Sequence, residues 1–320
     1  MNVVVTGATS LLGGEVASQL AARGDHVTCF QRRPNLVGLV DHLGDIRDAD
    51  QVAAALDGQD AVVHLAALVA PRMAWSDAVA VNVLGTANVQ RGSAACGAFV
   101  HVSTPSVAFH DVAAVGEGAE PAAYVGHDAY ARSKAIAERS VLVDAALGSV
   151  PTVVLRPHLV WGPGDTQLVG RIVARAREGR LVLPDHGRAL IDTTFVDDAA
   201  AAIVAGLDAA MTQGSATGRA LVVTGGDPRP VGEIVTGILE AAGLPTRIRS
   251  VPAPLAAVAG RLSQAWWPGD EPPLTHFAAR QLSLAHWFDQ RQTQALLDWK
   301  PEVSVDAGME RLAQWFTQQS

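Results

Sequence analysis

A tyrosine and a lysine, Tyr130 and Lys134, are four residues apart in a stretch with helical character. Side chains at this spacing lie one above the other on one face of a helix. An ammonium group one turn from a phenol favours the phenolate, so it lowers a pKa that is about 10 in model peptides. The pair therefore has the composition of a proton-transfer site.

Both residue types are rare in this chain, whose only other tyrosine and lysine are Tyr124 and Lys300. The alternative interpretation is a solvated helix with a surface lysine beside a half-buried tyrosine. A nicotinamide site earlier in the chain would decide in favour of the proton-transfer site.

The N-terminal segment has the pattern of such a site. Residues 2–6 are a continuous apolar run, as in a parallel strand buried on both faces, and a glycine turn, a helix and a second strand at residues 26–30 follow. Gly7 and Gly13 have the spacing of the first and last glycines of a dinucleotide-binding turn. The first permits the tight turn, the last lets helix and strand approach closely, and the helix N-terminus offers N–H groups to a pyrophosphate.

Two details of this unit bear on the cofactor. Ser10 occupies the middle position of the turn, where its β-carbon narrows the approach of a phosphate but its hydroxyl can hydrogen-bond to it. After the second strand come Arg32 and Arg33, without the acid that usually holds the ribose of NAD. We therefore predict NADP(H) in preference to NAD(H), which stays possible because a charged loop after a strand is common.

Further buried strands are predicted at residues 38–42, 61–67, 98–102, 151–155 and 220–224, alternating with helices, one of which spans about residues 75–96. This order predicts an α/β fold with a doubly wound parallel sheet. Ligands bind at the carboxyl ends of such strands. Ser103 and Thr104 follow one strand there, although both types also form ordinary turns. Asp45 is a candidate acceptor for an adenine amino group, and His64 is predicted to be a core histidine.

The predicted domain division has a dinucleotide-binding domain at residues 1–160, which the chain re-enters around residues 188–225. Residues 161–320 form mainly a smaller C-terminal substrate lobe. Its apolar residues favour a bulky apolar substrate, or else pack the core of the lobe itself. They are residues 251–259, Leu262, Trp266, Trp267 and Phe277.

Composition excludes several other classes of protein. The chain of 320 residues has a net charge of −8 and no cluster of basic residues, which argues against nucleic-acid binding. The longest uncharged stretch, residues 92–110, is broken by Gly97 and Pro105, so no membrane span is predicted. Met1 leads directly into a strand, which predicts no signal peptide. Two cysteines form no disulfide framework, and no metal site is predicted. We therefore expect a cytoplasmic protein.

Several segments together resemble the extended short-chain dehydrogenases/reductases, which have an NAD(P)-binding Rossmann fold. They are residues 6–13, Asp45, residues 64–67, Ser103 with Thr104, Tyr130 with Lys134, and Arg156 with Pro157. Residues 161–168, 192–197 and 286–289 are similar to the 3β-hydroxysteroid dehydrogenase branch. That branch includes sterol-4-carboxylate dehydrogenases and bacterial reductases of 2-alkyl-3-keto acids.

The resemblance implies a catalytic group of Thr104, Tyr130 and Lys134. Thr104 is favoured over Ser103 because it lies three residues before the small apolar Val107, but Ser103 stays open. Thr104 would hydrogen-bond the reacting oxygen, and Lys134 would hold the nicotinamide ribose. The residues expected to bind the cofactor are Gly7, Thr9, Ser10, Leu11, Leu12, Gly13, Arg32, Asp45, Ile46, Leu65, Ala66, Ala67, Ser103, Tyr130, Lys134, Pro157 and Val160.

The implied function is an NAD(P)-dependent oxidoreductase that interconverts a secondary alcohol and a ketone on a bulky apolar substrate. The alternative is a nucleotide-sugar epimerase or reductase, whose diphosphate would need arginines from the second lobe; candidates are Arg229, Arg247, Arg249 and Arg280. A third class is a non-enzymatic dinucleotide sensor, which commonly lacks the Tyr or the Lys. The resemblance also implies a possible homodimer.

Overall fold

The structure, a computed structural model, describes residues 1–34, 39–70, 73–124, 126–266 and 275–319. The strands are β1 (Asn2–Thr6), β2 (His26–Gln31), β3 (Val40–Leu43), β4 (Ala61–His64), β5 (Ala98–Val102), β6 (Ala114–Glu117), β7 (Thr152–Pro157), β8 (Val160–Trp161), β9 (Val182–Pro184), β10 (Leu190–Ile191), β11 (Thr194–Phe195), β12 (Ala220–Val223), β13 (Arg229–Pro230), β14 (Arg249–Val251) and β15 (His286–Phe288).

The α-helices alternate with these strands in the first half of the chain and cluster in the second. They are α1 (Leu11–Ala22), α2 (Ala49–Leu56), α3 (Trp75–Ala78), α4 (Thr86–Gly92), α5 (Ala129–Ala146), α6 (Val169–Arg177), α7 (Val196–Met211), α8 (Val231–Ala241), α9 (Ala253–Trp266), α10 (His276–Ser283), α11 (Arg291–Leu297) and α12 (Val305–Gln319).

The predicted doubly wound parallel sheet is confirmed. Seven parallel strands lie in the order β12-β7-β5-β4-β1-β2-β3. Residues of α1 and α7 pack with one face of the sheet, and residues of α2, α4 and α5 pack with the other. The chain moves outward from β1 to β3 and then returns to β4 on the other side of β1. This reversal opens a crevice at the carboxyl ends of β1 and β4, where α/β sheets bind ligands.

The second half of the chain contributes to both parts of the molecule. Strand β12 is the outermost strand of the large sheet. A smaller sheet, β13-β10-β15-β6, and the parallel pairs β8–β11 and β9–β14 lie outside it. A separate apolar core forms around the buried rings of Trp161 and Phe195, with residues of α6, α8 and α12. Leu159, Val160 and Leu168 pack against this second core and also line the crevice.

The long helix predicted at about residues 75–96 is present over residues 75–95, but it is not one regular α-helix. Helices α3 and α4 are joined by a π-helical segment, Val79–Gly85, and a short 3-10 turn, Ser93–Ala95, follows. The π-turn holds an extra residue and so changes which side chains face the sheet. The largest difference among the strands is at β4, which ends at His64 instead of residue 67. Strand β3 begins at Val40, and its predicted start at Gly38 lies outside the described residues.

His64 is the buried core histidine that the sequence predicted. Its side chain lies between the hydroxyls of Thr6, at 2.7 Å, and Thr86, at 2.9 Å. These bonds satisfy both ring nitrogens in a place that excludes water. They also tie β1 and β4 to the helix that covers them, beside the crevice.

Candidate active site

A cavity of about 600 Å³ follows the crevice from the Gly7 turn to the start of α5. Most of the predicted site residues line it: Gly7, Thr9, Ser10, Leu12, Arg32, Asp45, Ile46, Leu65, Ala66, Ala67, Ser103, Thr104, Tyr130, Lys134, Pro157 and Val160. Leu11 and Gly13 do not line it. The walls join the ends of β1, β2, β4, β5 and β7 to the first turn of α5, so one elongated ligand can contact them all.

The Gly7–Gly13 turn leaves no room for a side chain at either of these two glycines. Gly7 has a φ of +76°, and a β-carbon there would lie 2.7 Å from the backbone nitrogen of Ala66. A β-carbon on Gly13 would overlap the carbonyl oxygen of Gly7. The missing side chains therefore let the turn, α1 and the end of β4 pack directly against one another. A flat cradle results at the N-terminus of α1, and this cradle fits a pyrophosphate.

Ser10 is engaged within the turn. Its hydroxyl donates to the carbonyl of Gly7 at 2.9 Å and accepts from the backbone nitrogen of Gly13 at 3.1 Å, which caps α1. A phosphate can therefore receive this hydroxyl proton only if the bond to Gly7 breaks. The backbone N–H groups of Leu11 and Leu12, in the first turn of α1, are better suited to a phosphate. The side chain of Leu11 instead points towards Gly164, where an added β-carbon would lie 3.9 Å from Cδ1 of Leu11.

The part of the cavity that lies beyond the ends of β2 and β3 carries charges of both signs. Arg32 lines it, and no ion pair of Arg32 occurs among the described residues. Asp45 also lines it, but its carboxylate is held by Arg47, whose guanidinium donates at 2.7 Å. Hydrogen bonds from Arg47 lower the pKa of Asp45 against the effect of burial. An adenine amino group would thus meet a carboxylate that is already paired.

Gln31 occupies the end of β2, where an NAD site usually has an acid. Its side-chain nitrogen donates to Asp41 on the neighbouring β3 at 2.6 Å, and its oxygen is buried with no protein partner in the described parts of the chain. Asp41 lies outside the cavity lining. At this corner the cavity is therefore lined by the side-chain amide of Gln31 and by Arg32.

The three predicted catalytic side chains share one wall of the cavity. Thr104 follows β5, while Tyr130 and Lys134 are on α5, which begins after the capping side chain of Asp128. The hydroxyl of Thr104 donates to the hydroxyl of Ser106 at 3.3 Å and lies near enough to the phenol of Tyr130 to lower the pKa of that group. Ser103 also lines the cavity, but its hydroxyl is buried without a partner among the described residues. Both residues therefore line the cavity, and the choice of Thr104 over Ser103 stays a prediction.

The predicted lowering of the Tyr130 pKa by Lys134 is wrong in this structure. Burial of the phenol and the negative charge of Asp128 raise the pKa of Tyr130 to about 12, and the nearby hydroxyl of Thr104 opposes this only in part. The ammonium of Lys134 points elsewhere, donating to the carbonyl of Val102 at 2.7 Å. Tyr130 therefore holds its proton at neutral pH, as a proton donor must.

Lys134 is almost completely buried, with 2% of its surface exposed. Burial lowers its pKa to about 8, and the charge of Glu138, one turn further along α5, opposes this. Its ammonium also lies 3.4 Å from Nε2 of His101, whose pKa burial and Lys134 keep well below the usual range. The imidazole of His101 is therefore neutral and adds no positive charge beside Lys134. Because the pKa of Lys134 is about 8, its ammonium stays largely charged at neutral pH.

Two functional supports were missed by sequence reasoning. Asn82, in the π-helical segment, accepts from the backbone nitrogen of Leu68 at 2.7 Å and donates to the hydroxyl of Ser133 at 2.9 Å. It therefore ties the loop after β4 to the residue beside Lys134. An asparagine in the middle of a predicted helix is locally unfavourable, and this was the available signal in the sequence.

The second missed support is a buried ion pair between Glu138 on α5 and Arg156 on β7. Arg156 also donates from Nη1 to the carbonyl of Glu120 at 2.6 Å. Both side chains are at most 2% exposed, so the pair is rigidly enclosed. It anchors α5 to the sheet one turn beyond Lys134.

Residues 161–320 contribute fewer of the expected residues to the cavity. Of the apolar residues proposed from sequence, Phe277 lines the cavity, whereas Leu262 and Trp266 are exposed on α9 and Trp267 lies outside the described residues. None of Arg229, Arg247, Arg249 and Arg280 lines it. Residues that sequence reasoning did not select line it instead, among them Ser106, Leu159, Gln167, Leu168, Arg171 and Gln281.

Comparison with known proteins agrees with this geometry. The model of the NAD dependent epimerase/dehydratase family matches residues 3–219. The chain is 37% identical to a 2-alkyl-3-oxoalkanoate reductase of Stenotrophomonas maltophilia, over 98% of each protein. It is 30% identical to a 3 beta-hydroxysteroid dehydrogenase/Delta 5-->4-isomerase of Mycobacterium tuberculosis, over 75% of this chain and 69% of the relative. The structure of the UDP-glucuronic acid 4-epimerase of Bacillus cereus with NAD superposes with a TM-score of 0.76 at 20% identity, covering 100% and 99% of the two chains.

The fold and the cavity define an enzyme of the short-chain dehydrogenase/reductase superfamily. Within it, this chain belongs to the NAD dependent epimerase/dehydratase family. The predicted resemblance and the predicted class, an NAD(P)-dependent oxidoreductase, are confirmed by these matches. No helix in the described residues has the length and apolar character to cross a bilayer.

Proposed function

We propose that this protein interconverts a ketone and a secondary alcohol on a bulky, largely apolar 3-oxo acid of the 2-alkyl type, with NADP(H) as cofactor. The observation that carries the proposal is the placement of Thr104, Tyr130 and Lys134 on one wall of the cavity that begins at the Gly7 turn. The name of the bacterial relative at 37% identity supports the substrate class.

Each side chain has a distinct part in the reaction. A nicotinamide cofactor bound in the cavity would supply or accept the hydride. Thr104 holds the reacting oxygen, and in the reductive direction Tyr130 donates its phenolic proton to that oxygen. Lys134 binds the ribose hydroxyls through its ammonium. Because Tyr130 is protonated at neutral pH, the site is suited to reduction.

The apolar walls support a substrate with hydrocarbon chains. Phe277, Val69, Leu159 and Leu168 line the cavity together with the polar Ser106 and Gln281. Hydrocarbon buried against such walls stabilises a complex by about 0.8 kcal/mol per methylene group. A substrate with long alkyl branches would therefore bind more tightly than a short 3-oxo acid.

The nucleotide-sugar alternative has less support. A diphosphate on the substrate would need positive charge in the second lobe. The four candidate arginines lie outside the cavity lining, and of the arginines in residues 161–320 it is Arg171 on α6 that lines the cavity. Arg229, for example, is paired with Asp227 at 2.9 Å. The homodimer and the cytoplasmic location stay predictions, and sedimentation of the purified protein tests the first.

The proposal is tested by following NADPH oxidation with three substrate classes: 2-alkyl-3-oxo acids, 3-ketosteroids and nucleotide-sugar ketones. We expect turnover with the first class and rates that increase with alkyl length. Turnover confined to the nucleotide sugars would overturn the proposal. Turnover confined to the steroids would retain the oxidoreductase and replace its substrate.

A further inference from the structure

Helix α6 lies between the second apolar core and the cavity. The carboxylate of Asp165 fixes the start of this helix, because it accepts hydrogen bonds from the backbone nitrogens of Leu168, at 3.0 Å, and Val169, at 2.9 Å. Val169 and Val173 are one turn apart and are buried in the second core. Arg171 is two residues from each of these valines, so it leaves the opposite side of the helix, and there it lines the cavity.

Among the described residues, the positive charges on the cavity wall come from Arg32, Lys134 and Arg171. Arg32 follows β2, at the corner where an arginine would hold the 2′-phosphate of NADP(H). The ammonium of Lys134 bonds to the carbonyl of Val102 at the end of β5, where it is proposed to hold the ribose. Arg171 belongs to the second core and reaches the cavity from outside the large sheet. It is therefore the cation that remains for the substrate.

The proposed substrate needs such a cation. A carboxyl group loses its proton well below neutral pH, so a 3-oxo acid enters the cavity as an anion. A charge buried against apolar walls is unfavourable unless it is paired, and Leu159, Leu168 and Phe277 offer it no partner. The phosphates of a bound cofactor would also repel a second anion. The planar fork of donors on Arg171 matches the geometry of a carboxylate.

We infer that Arg171 binds the carboxylate of the 3-oxo acid and thereby selects acids over neutral ketones of the same shape. Arg171 contacts the substrate and takes no part in the proton transfer at Tyr130. The diphosphate of a nucleotide sugar is the other anion that this guanidinium could receive. The inference rests on the proposed function, but the binding of an anion at Arg171 can be measured without turnover.

The first test compares a 2-alkyl-3-oxo acid with its methyl ester as substrates of the unmodified enzyme and of Arg171→Gln. The ester keeps the ketone and the alkyl chains but has no charge. We expect kcat/KM for the acid to fall about ten- to a hundredfold, as for a lost charged hydrogen bond, and kcat/KM for the ester to change by less than about twofold. An equal loss for acid and ester would overturn the inference, because it would show a general disturbance of the site.

The second test measures binding without a reaction. The probe is 2-hexyldecanoic acid, which has a carboxylate and two alkyl chains but no ketone, and its neutral counterpart is the corresponding primary amide. In calorimetry on the enzyme loaded with NADPH, the acid should bind at least about tenfold more tightly than the amide, and Arg171→Gln should remove this preference. Equal affinities for acid and amide in the unmodified enzyme would contradict the role of Arg171. A retained preference without turnover of any 3-oxo acid would instead overturn the proposed function alone.

Two variants of α6 separate the position of the charge from its presence. Arg177→Gln removes a positive charge from the exposed end of the helix, about 9 Å further along, and should leave both preferences unchanged. Arg171→Lys keeps the charge without the planar fork, so it should recover part of the preference for the acid. A loss in Arg177→Gln equal to that in Arg171→Gln would show a long-range effect of charge and would overturn the inference.

The cofactor phosphates and the nucleotide sugars are the remaining anions to separate. Arg171→Gln should bind NADPH within about twofold of the unmodified enzyme, as measured by fluorescence titration, because the substrate and not the cofactor is its ligand. A loss of about tenfold or more would assign Arg171 to the cofactor and overturn the inference. Loss of turnover confined to nucleotide-sugar ketones, with acids unaffected, would also overturn it.

Discussion

The ammonium of Lys134 donates to the carbonyl of Val102, the last residue of β5, across 2.7 Å. The backbone end of a central strand thus holds the charge at the bottom of the cavity. Since Lys134 reaches the cavity from α5 and Val102 comes from the sheet, the bond also fixes the distance between these two elements.

This environment predicts how cofactor binding depends on pH. The pKa of Lys134 is lowered to about 8 by burial, so its ammonium is present below that pH and is lost as the pH rises through it. If the ammonium binds the ribose, affinity for NADPH should fall about tenfold per pH unit above this value. Fluorescence titration of NADPH at pH values on both sides of 8 measures this change in affinity.

The matched variant for this prediction is Lys134→Met, which keeps a long side chain without the charge. It should bind NADPH weakly and with no change across the same pH range. If Lys134→Met kept the alkaline decline of the unmodified enzyme, another group would be responsible for it.

Substitution of Tyr130 by Phe should abolish turnover while leaving cofactor binding within about twofold. The phenolic proton is lost, whereas the ring still fills the same space. General acid–base catalysis contributes about 10²–10⁴-fold, so the rate should fall by at least the lower figure. Steady-state NADPH oxidation and NADPH titration measure the two quantities. Tyr124→Phe is the control, because Tyr124 lies in a small apolar cluster and outside the cavity lining.

The identity of the cofactor can be tested at Arg32. If its guanidinium binds the 2′-phosphate of NADPH, Arg32→Gln should raise the KM for NADPH about ten- to a hundredfold, as expected for a lost charged hydrogen bond. The KM for NADH should change little. Arg33→Gln is the matched control, since Arg33 follows directly but does not line the cavity. A preference for NADH in the unmodified enzyme would make the assignment of Arg32 wrong.

Much of the site was predictable because its residues follow strands. The carboxyl ends of parallel strands meet at one edge, so Gly7 after β1, Ala66 after β4 and Thr104 after β5 had to be neighbours. The four-residue spacing of Tyr130 and Lys134 placed them on one helical face with no knowledge of the sheet.

The supports of the site could not be predicted in this way. Asn82 meets Ser133, 51 residues further along the chain, only because a π-helical segment changes the direction of its side chain. The pKa of Tyr130 depends on its burial and on Asp128, whereas sequence spacing drew attention to Lys134 alone. Local sequence patterns thus show which residues lie at the edge of the sheet. Contacts between distant segments determine the protonation and orientation of their side chains.

The glycine turn gives a prediction about cofactor binding. Gly13→Ala would place a methyl group against the carbonyl oxygen of Gly7, and the turn would have to open. Overpacking of this kind costs about 1–3 kcal/mol and distorts the cradle at the start of α1. We expect a lower unfolding midpoint and at least tenfold weaker NADPH binding. Gly118→Ala, where no atom lies within 4 Å of the new β-carbon, is the control and should change neither.

The ion pair between Glu138 and Arg156 gives a prediction about stability. Removing one partner leaves the other charge buried, so Glu138→Gln should destabilise the fold by about 3–5 kcal/mol, as measured by denaturant unfolding. Replacing both residues, with Glu138→Leu and Arg156→Met, removes the unpaired charge and should cost less than the single change. If the two variants were equally destabilised, lost packing rather than uncompensated charge would explain the effect.

Glu138 also raises the pKa of Lys134, so Glu138→Gln should move the alkaline decline in NADPH binding to lower pH.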